Sequence, residues 1–213
     1  MQFETIVLSK SVDGIWRDLD HAVEHVVAHL ESRGLLAHPT TGVYGLGGIR
    51  EPEIEACLTR LKCREHRSGF VYLVADLPGA QQEFPQAGWT GLAVRFAKRF
   101  WPGALTLVLA NEDPTDVAIR AEAHPVTQAV LHAWTGALSS TSLNRTGEPP
   151  AATSAEAHRV LRDLPAVDRP VLLLDVGSLP GPPTSTLVQI RGDTHSILRQ
   201  GAIDAEMIEA ALP

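Results

Sequence analysis

LLAHPTTGVYGLGG, residues 35–48, decides how the rest of the chain is read. LLAH is a short apolar run that reads as a buried strand, and PTTGVYGLGG reads as a glycine-rich turn after it. Gly42, Gly45, Gly47 and Gly48 match neither the P-loop spacing nor the dinucleotide-binding fingerprint. They predict a tight turn with close backbone approach, with a phosphate-holding loop as the other reading. On either side of this stretch the apolar residues recur at helical spacing. Before it, Trp16, Leu19, Val23, Val26, Val27 and Leu30 form one stripe, and Gly34 follows as a stop. After it, Pro52 suits a first helical position, and Ile54, Cys57, Leu58 and Leu61 form a second stripe.

The alternation continues outward. FVYLVA, ALTLVLA, DVAIR, ALSSTS and VLLLDV read as strands, and GLAVRFAKRF, VTQAVLHAW and SAEAHRVLRDL read as helices. FETIVLS opens the chain as a strand. STLVQI and HSILR read as a hairpin through RGD, and IDAEMIEAAL reads as a closing helix. Interleaved strands and helices predict an α/β (α+β layered) domain, and the short late connections predict a mixed sheet. No repeat or linker divides the chain, so residues 1–213 are expected to form one domain.

Of the 213 residues, 44% are apolar and 20% charged, the balance of an ordinary globular protein. The net charge of −7 disfavours tight non-specific binding to nucleic acid, although a local basic patch is compatible with it. Cys57 and Cys63 are too few for a disulfide framework and have no partners at zinc spacing, which points to a reducing compartment. MQFETIVLSK lacks the pattern of a secretory signal, and no apolar run reaches membrane-spanning length, so a cytoplasmic protein with no membrane partner is expected.

Several segments carry candidate chemistry. Lys62, Arg64 and Arg67, with His66 between, follow a predicted helix. They read either as solvated cations complementing the helix dipole or as a phosphate clamp. SSTSLNRTG, 139–147, places short hydroxyl donors at a strand end, where ligands of α/β sheets often sit; local turn formation is the other reading. Arg120 closes a strand and is a candidate anion ligand, while Arg199 and Ser185 give weaker signals. His21, His25 and His29 recur every four residues opposite the apolar stripe, so all three are expected to face solvent rather than hold a metal. No nucleophile elbow, metalloprotease helix or kinase set is present.

Taken in order, these segments resemble the YrdC-like (TsaC-type) threonylcarbamoyl-AMP synthase family. The resemblance rests on HPTTGVYGLGG, Lys62-Cys63-Arg64, WPGALTLVL, AIRAEAHP, STSLNRTG, Ser185-Thr186 and LRQG, and it covers nearly the whole chain. Departures from the family pattern stand at Gly42, Glu65, Ser68 and Leu143. The resemblance implies an open twisted sheet with a concave face, in the short single-domain bacterial form. It implies a nucleotidyltransferase that joins L-threonine, bicarbonate and ATP, with Mg²⁺ on the phosphates. Pyrophosphate leaves, and partner proteins use the threonylcarbamoyladenylate to modify position 37 of tRNA. By motif, Lys62 and Arg64 are expected to be catalytic and to bind ATP with Ser142, Asn144 and Arg199. Thr40, Arg120, Ser140 and Ser185 are expected to line the threonine site. The alternative is a relative that keeps the fold, lacks synthase activity and binds RNA on the concave face.

Overall fold

The structure, a computed structural model, describes residues 1–62, 69–111 and 116–212. The first half runs β1 (Glu4–Val7), α1 (Leu19–Glu31), β2 (Leu35–Pro39), β3 (Tyr44–Ile49), α2 (Pro52–Leu61), β4 (Val71–Val74), α3 (Leu77–Glu83) and α4 (Gly91–Phe100). It continues with β5 (Leu105–Leu109), β6 (Val117–Ala121), α5 (Pro125–Trp134), β7 (Leu138–Ser142), α6 (Ser154–Asp163) and β8 (Val171–Asp175). A hairpin of β9 (Thr186–Arg191) and β10 (Thr194–Arg199) precedes α7 (Ala205–Glu209).

The strands form one mixed sheet in the order β1-β8-β2-β3-β7-β4-β6-β5-β9-β10. β1 and β2 flank β8 in parallel, whereas β3 pairs antiparallel with both β2 and β7. β4 runs parallel to β6 and β5 parallel to β9. Two apolar clusters cover the sheet. One joins α1, α2, α5 and α6 to the β8-β2-β3-β7 side; the other joins α3, α4 and α7 to the β6-β5-β9 side. Fully buried Val26 and Leu30 of α1 exemplify the drive, each worth about 1.5–3 kcal/mol relative to exposure.

Local chemistry starts the helices where the chain needs them. Pro52 and Pro125 stand in the first turns of α2 and α5. Thr153 and Glu156 form a reciprocal capping box at α6. α3, which the apolar pattern does not announce, begins where the Asp76 carboxylate accepts a 2.8 Å hydrogen bond from Gly79 N.

Two sequence expectations are corrected. YGLGG is a strand, not a turn: β3 is buried from end to end, and the turn is confined to residues 40–43. Its glycines serve close packing, since a Cβ on Gly47 would overlap the Ser139 carbonyl of β7. His29 does not face solvent. Its ring is buried over Gly34, with Nε2 2.9 Å from the Leu35 carbonyl, and burial pulls its pKa down against that hydrogen bond. His25 remains outside, 3.3 Å from Glu4.

Candidate functional site

Antiparallel pairing of β3 with β7 sets Gly45 opposite Ser142 and Gly47 opposite Ser140. Glycines on one strand thus leave room beside hydroxyls on the next. β7 also pairs with β4, which brings Val71 opposite Ser140, and β4 carries the register across to Arg120 on β6. The result is a cavity of about 370 Å³ whose lining includes Thr40, Arg120, Ser140, Ser142, Ser185 and Arg199. That size falls within the range of small-molecule sites, about 300–1,000 Å³. A smaller chamber of about 200 Å³ shares Thr40, Arg120 and Ser185 and is bounded by the loop 180–183.

Thr40 sits in the tight turn, donating from Oγ1 to the Val43 carbonyl at 2.6 Å, while Thr40 N bonds the same oxygen at 3.0 Å. The Gly181 N–H bonds the Gly42 carbonyl at 2.8 Å. A Cβ on Gly42 would lie 3.0 Å from Gly181 O, so glycine there admits the proline-rich loop.

Arg120 is buried, at 8% exposure, against the ordinary expectation of an exposed strand-end arginine. Its Nη2 donates to Thr41 Oγ1 at 3.0 Å and to the Glu122 carboxylate. Glu122 is fully buried and also accepts from the N–H groups of Thr41, Ala123 and His124 at 2.9, 3.0 and 3.1 Å. Its oxygens are therefore occupied. Burial lowers the Arg120 pKa to about 10, with the neighbouring Arg199 charge adding to the effect, so the guanidinium stays charged at neutral pH. Arg120 Nε is buried with no hydrogen-bond partner. An unmet donor on a buried cation beside a cavity suits an anionic ligand.

Across the cavity, Arg199 donates to the Ser185 carbonyl at 2.9 Å from Nη2 and 3.3 Å from Nε. Desolvation lowers its pKa as well. The Ser185 hydroxyl lies 2.8 Å from Thr106 Oγ1 and 3.3 Å from Arg199 Nη2. No carboxylate pairs with Arg199 among the described residues.

Lys62 is neither a solvated helix end nor a bare cation. At 2% exposure it caps α2, with Nζ 3.0 Å from Ser142 O, 2.6 Å from Asn144 O and in contact with Asn144 Oδ1. Ser142 Oγ donates to the same Asn144 oxygen at 2.7 Å, and Asn144 Nδ2 donates to Glu148 O at 2.6 Å. Lys62, Ser142 and Asn144 thus form one network at the rim of the cavity. Arg64, with His66 and Arg67, lies outside the described residues.

Sequence reasoning missed Glu122 and His38. Glu122 stands two residues beyond Arg120, on the same side of an extended chain, and that spacing was the available signal. His38 sits in an apolar run with nothing to mark it, yet its Nε2 lies 3.1 Å from Ser140 Oγ.

A family model described as telomere recombination, for Sua5, YciO and YrdC, matches residues 28–201. The threonylcarbamoyl-AMP synthase of Stenotrophomonas maltophilia is 35% identical over 164 residues, covering 68% of this chain and 84% of the relative. That of Chromohalobacter salexigens is 33% identical over 171 residues, covering 75% and 86%. Among solved structures, P. abyssi Sua5 complexed with L-threonine superposes with a TM-score of 0.81 at 22% identity, over 97% of this chain. This chain spans 60% of that protein's length. E. coli YciO superposes with a TM-score of 0.73 at 23% identity, covering 97% of this chain and 98% of YciO. At these identities the superpositions establish the fold alone. The family match spans most of the sequence, and the chain belongs to the Sua5/YciO/YrdC family.

Proposed function

We propose that this protein is a threonylcarbamoyl-AMP synthase, joining L-threonine, bicarbonate and ATP into threonylcarbamoyladenylate with release of pyrophosphate. The observation that carries the reading is the convergence of Thr40, Arg120, Ser140, Ser142, Ser185 and Arg199 on one cavity, in a chain whose relatives bear that activity in their names. A single sheet spanning β1 to β10 supports reading residues 1–213 as one domain.

The chemistry brings an anion to a polyanion. The threonine amine and bicarbonate combine with loss of water to a carbamate. The carbamate oxygen bonds the α-phosphorus as the bond to pyrophosphate breaks. Arg120 holds the threonine carboxylate, with its unmet Nε as the available donor. Thr40, Ser140 and Ser185 line the amino-acid side of the site, and Ser142, Asn144 and Arg199 take the nucleotide. Lys62 supplies positive charge beside the phosphates while its protons hold the turn of residues 142–144. Arg64 is assigned to the phosphates from its motif. Mg²⁺ is assigned to the ATP phosphates and would enter with the nucleotide as part of the substrate. Positioning the two small reactants beside the nucleotide supplies much of the remaining acceleration.

The same reading places the protein in the cytoplasm, beside tRNA-modifying proteins that consume the adenylate. No helix among the described residues is long and apolar enough to cross a membrane. The test is direct. The pure protein is incubated with MgATP, bicarbonate and single amino acids, and products are read by pyrophosphate release and mass. Threonine-dependent pyrophosphate with a threonylcarbamoyladenylate mass is expected. An RNA-binding relative without synthase activity gives neither.

A further inference from the structure

His38 is fully buried on β2, and its ring touches a hydroxyl of the cavity: Nε2 lies 3.1 Å from Ser140 Oγ. The other ring nitrogen, Nδ1, lies 3.3 Å from the Pro39 carbonyl. A carbonyl oxygen only accepts, so the tautomer that satisfies both contacts carries its proton on Nδ1. Nε2 is then bare, and the Ser140 hydroxyl must donate to it. The opposite tautomer would set two lone pairs against each other at Pro39. Burial holds the His38 pKa down at about 4 against the hydrogen bond to Pro39, which raises it, and the Arg120 charge pushes the same way as burial. The ring is therefore neutral at ordinary pH and a poor base, which argues against a proton relay. Gly45 keeps the pair in contact, because a Cβ there would lie 2.7 Å from the imidazole and 3.1 Å from Ser140 Oγ.

We propose that His38 is a positioning residue that turns the Ser140 hydroxyl proton away from the ligand, so that Ser140 offers the cavity only lone pairs. A freely rotating serine can serve a carboxylate or an amine equally. A serine whose proton is already committed repels a carboxylate and selects a hydrogen-bond donor. Resting on the synthase reading, this assigns to Ser140 a donor group of the amino acid, its amine or carbamate N–H or its β-hydroxyl. It also leaves the carboxylate to Arg120, which fixes which way round the amino acid lies.

Threonine-dependent pyrophosphate release is compared for the wild type, His38→Leu, His38→Gln, Ser140→Ala and the double variant His38→Leu/Ser140→Ala. His38→Leu is expected to raise the threonine KM about fivefold or more with kcat within about twofold, as Ser140→Ala does. Glutamine, whose amide oxygen restores an acceptor, should return the KM to within about twofold of wild type. In the double variant the two losses should not multiply, because both act on one hydroxyl. An unchanged KM in His38→Leu, or losses that multiply, overturns the proposal. Repeating the series with 2-aminobutyrate, which lacks the β-hydroxyl, separates the donors. A loss shared by both amino acids assigns the nitrogen; a loss with threonine alone assigns the hydroxyl. The tautomer is read independently of activity, from long-range ¹⁵N–¹H correlations of the labelled wild-type imidazoles. A bare Nε2 on His38 is expected, and a protonated Nε2 overturns the proposal even in a protein that folds but makes no adenylate. A wild type that releases no pyrophosphate with threonine sinks the synthase reading instead.

Discussion

Two buried cations set the residue scale. Arg120 is committed on one side to Glu122 and Thr41, and its Nε is left over. Truncation to alanine removes the ligand contact and also strands a fully buried carboxylate, a loss of about 3–5 kcal/mol of stability. The informative variant is therefore Arg120→Ala/Glu122→Gln, which neutralises both partners. It should raise the apparent threonine requirement more than the ATP requirement; an equal rise in both would remove Arg120 from the amino-acid site. Lys62 holds two backbone carbonyls and the Asn144 side chain, so its charge and its hydrogen bonds are both lost in Lys62→Ala. Adenylate formation should fall at least about tenfold, or about 1.4 kcal/mol of barrier. Wild-type-like pyrophosphate release in that variant would separate the residue from the reaction.

At the scale of elements, the site depends on how closely β3 approaches β7. Their pairing puts Gly47 against Ser140, and the glycine lets the Ser139 carbonyl sit where a side chain would otherwise stand. Gly47→Ala is expected to cost at least about 1–3 kcal/mol, since both neighbours are backbone and neither can swing aside. Urea unfolding of the purified variant measures it, and an unchanged midpoint would mean that the two strands are free to separate. The start of β3 is pinned as well. Tyr44 donates from its hydroxyl to the Gly177 carbonyl at 2.9 Å, beyond the end of β8, and burial raises its pKa to about 12. That anchor and the Gly42–Gly181 contact bind the turn of residues 40–43 to the loop 180–183, so Thr40 and Ser185 share both chambers.

At the scale of the molecule, burial of imidazoles couples stability to pH. His38 and His124 both have folded-state pKa values lowered from 6.5 to about 4, chiefly by desolvation. Between those values the unfolded chain takes up protons that the folded chain refuses. Stability is therefore fully present above about pH 6.5 and declines as pH falls toward about 4. His38, wholly buried, accounts for up to about 3 kcal/mol of that decline. Melting temperature should drop on acidification from about pH 7 to about pH 5, and His38→Leu should flatten the profile. A wild-type profile that is level over this interval would contradict burial of neutral rings.

Periodicity and punctuation in the sequence were enough to place most strands and helices, including the late hairpin and the mixed character of the sheet. Proline at helix starts, glycine after α1 and alternation of apolar runs are local properties, and local geometry answers to them. The ordered motifs also single out Thr40, Arg120, Ser140, Ser142, Ser185 and Arg199, which line one cavity. Only the tertiary structure decided that Gly45, Gly47 and Gly48 belong to a buried strand, that His29 turns inward, that Lys62 bonds a turn and that Glu122 and His38 stand behind the cavity. Most of those outcomes depend on which strand lies beside which, and therefore on contacts between residues far apart in the chain, such as His38 with Ser140 and Lys62 with Asn144. No window of sequence contains both partners of such a contact.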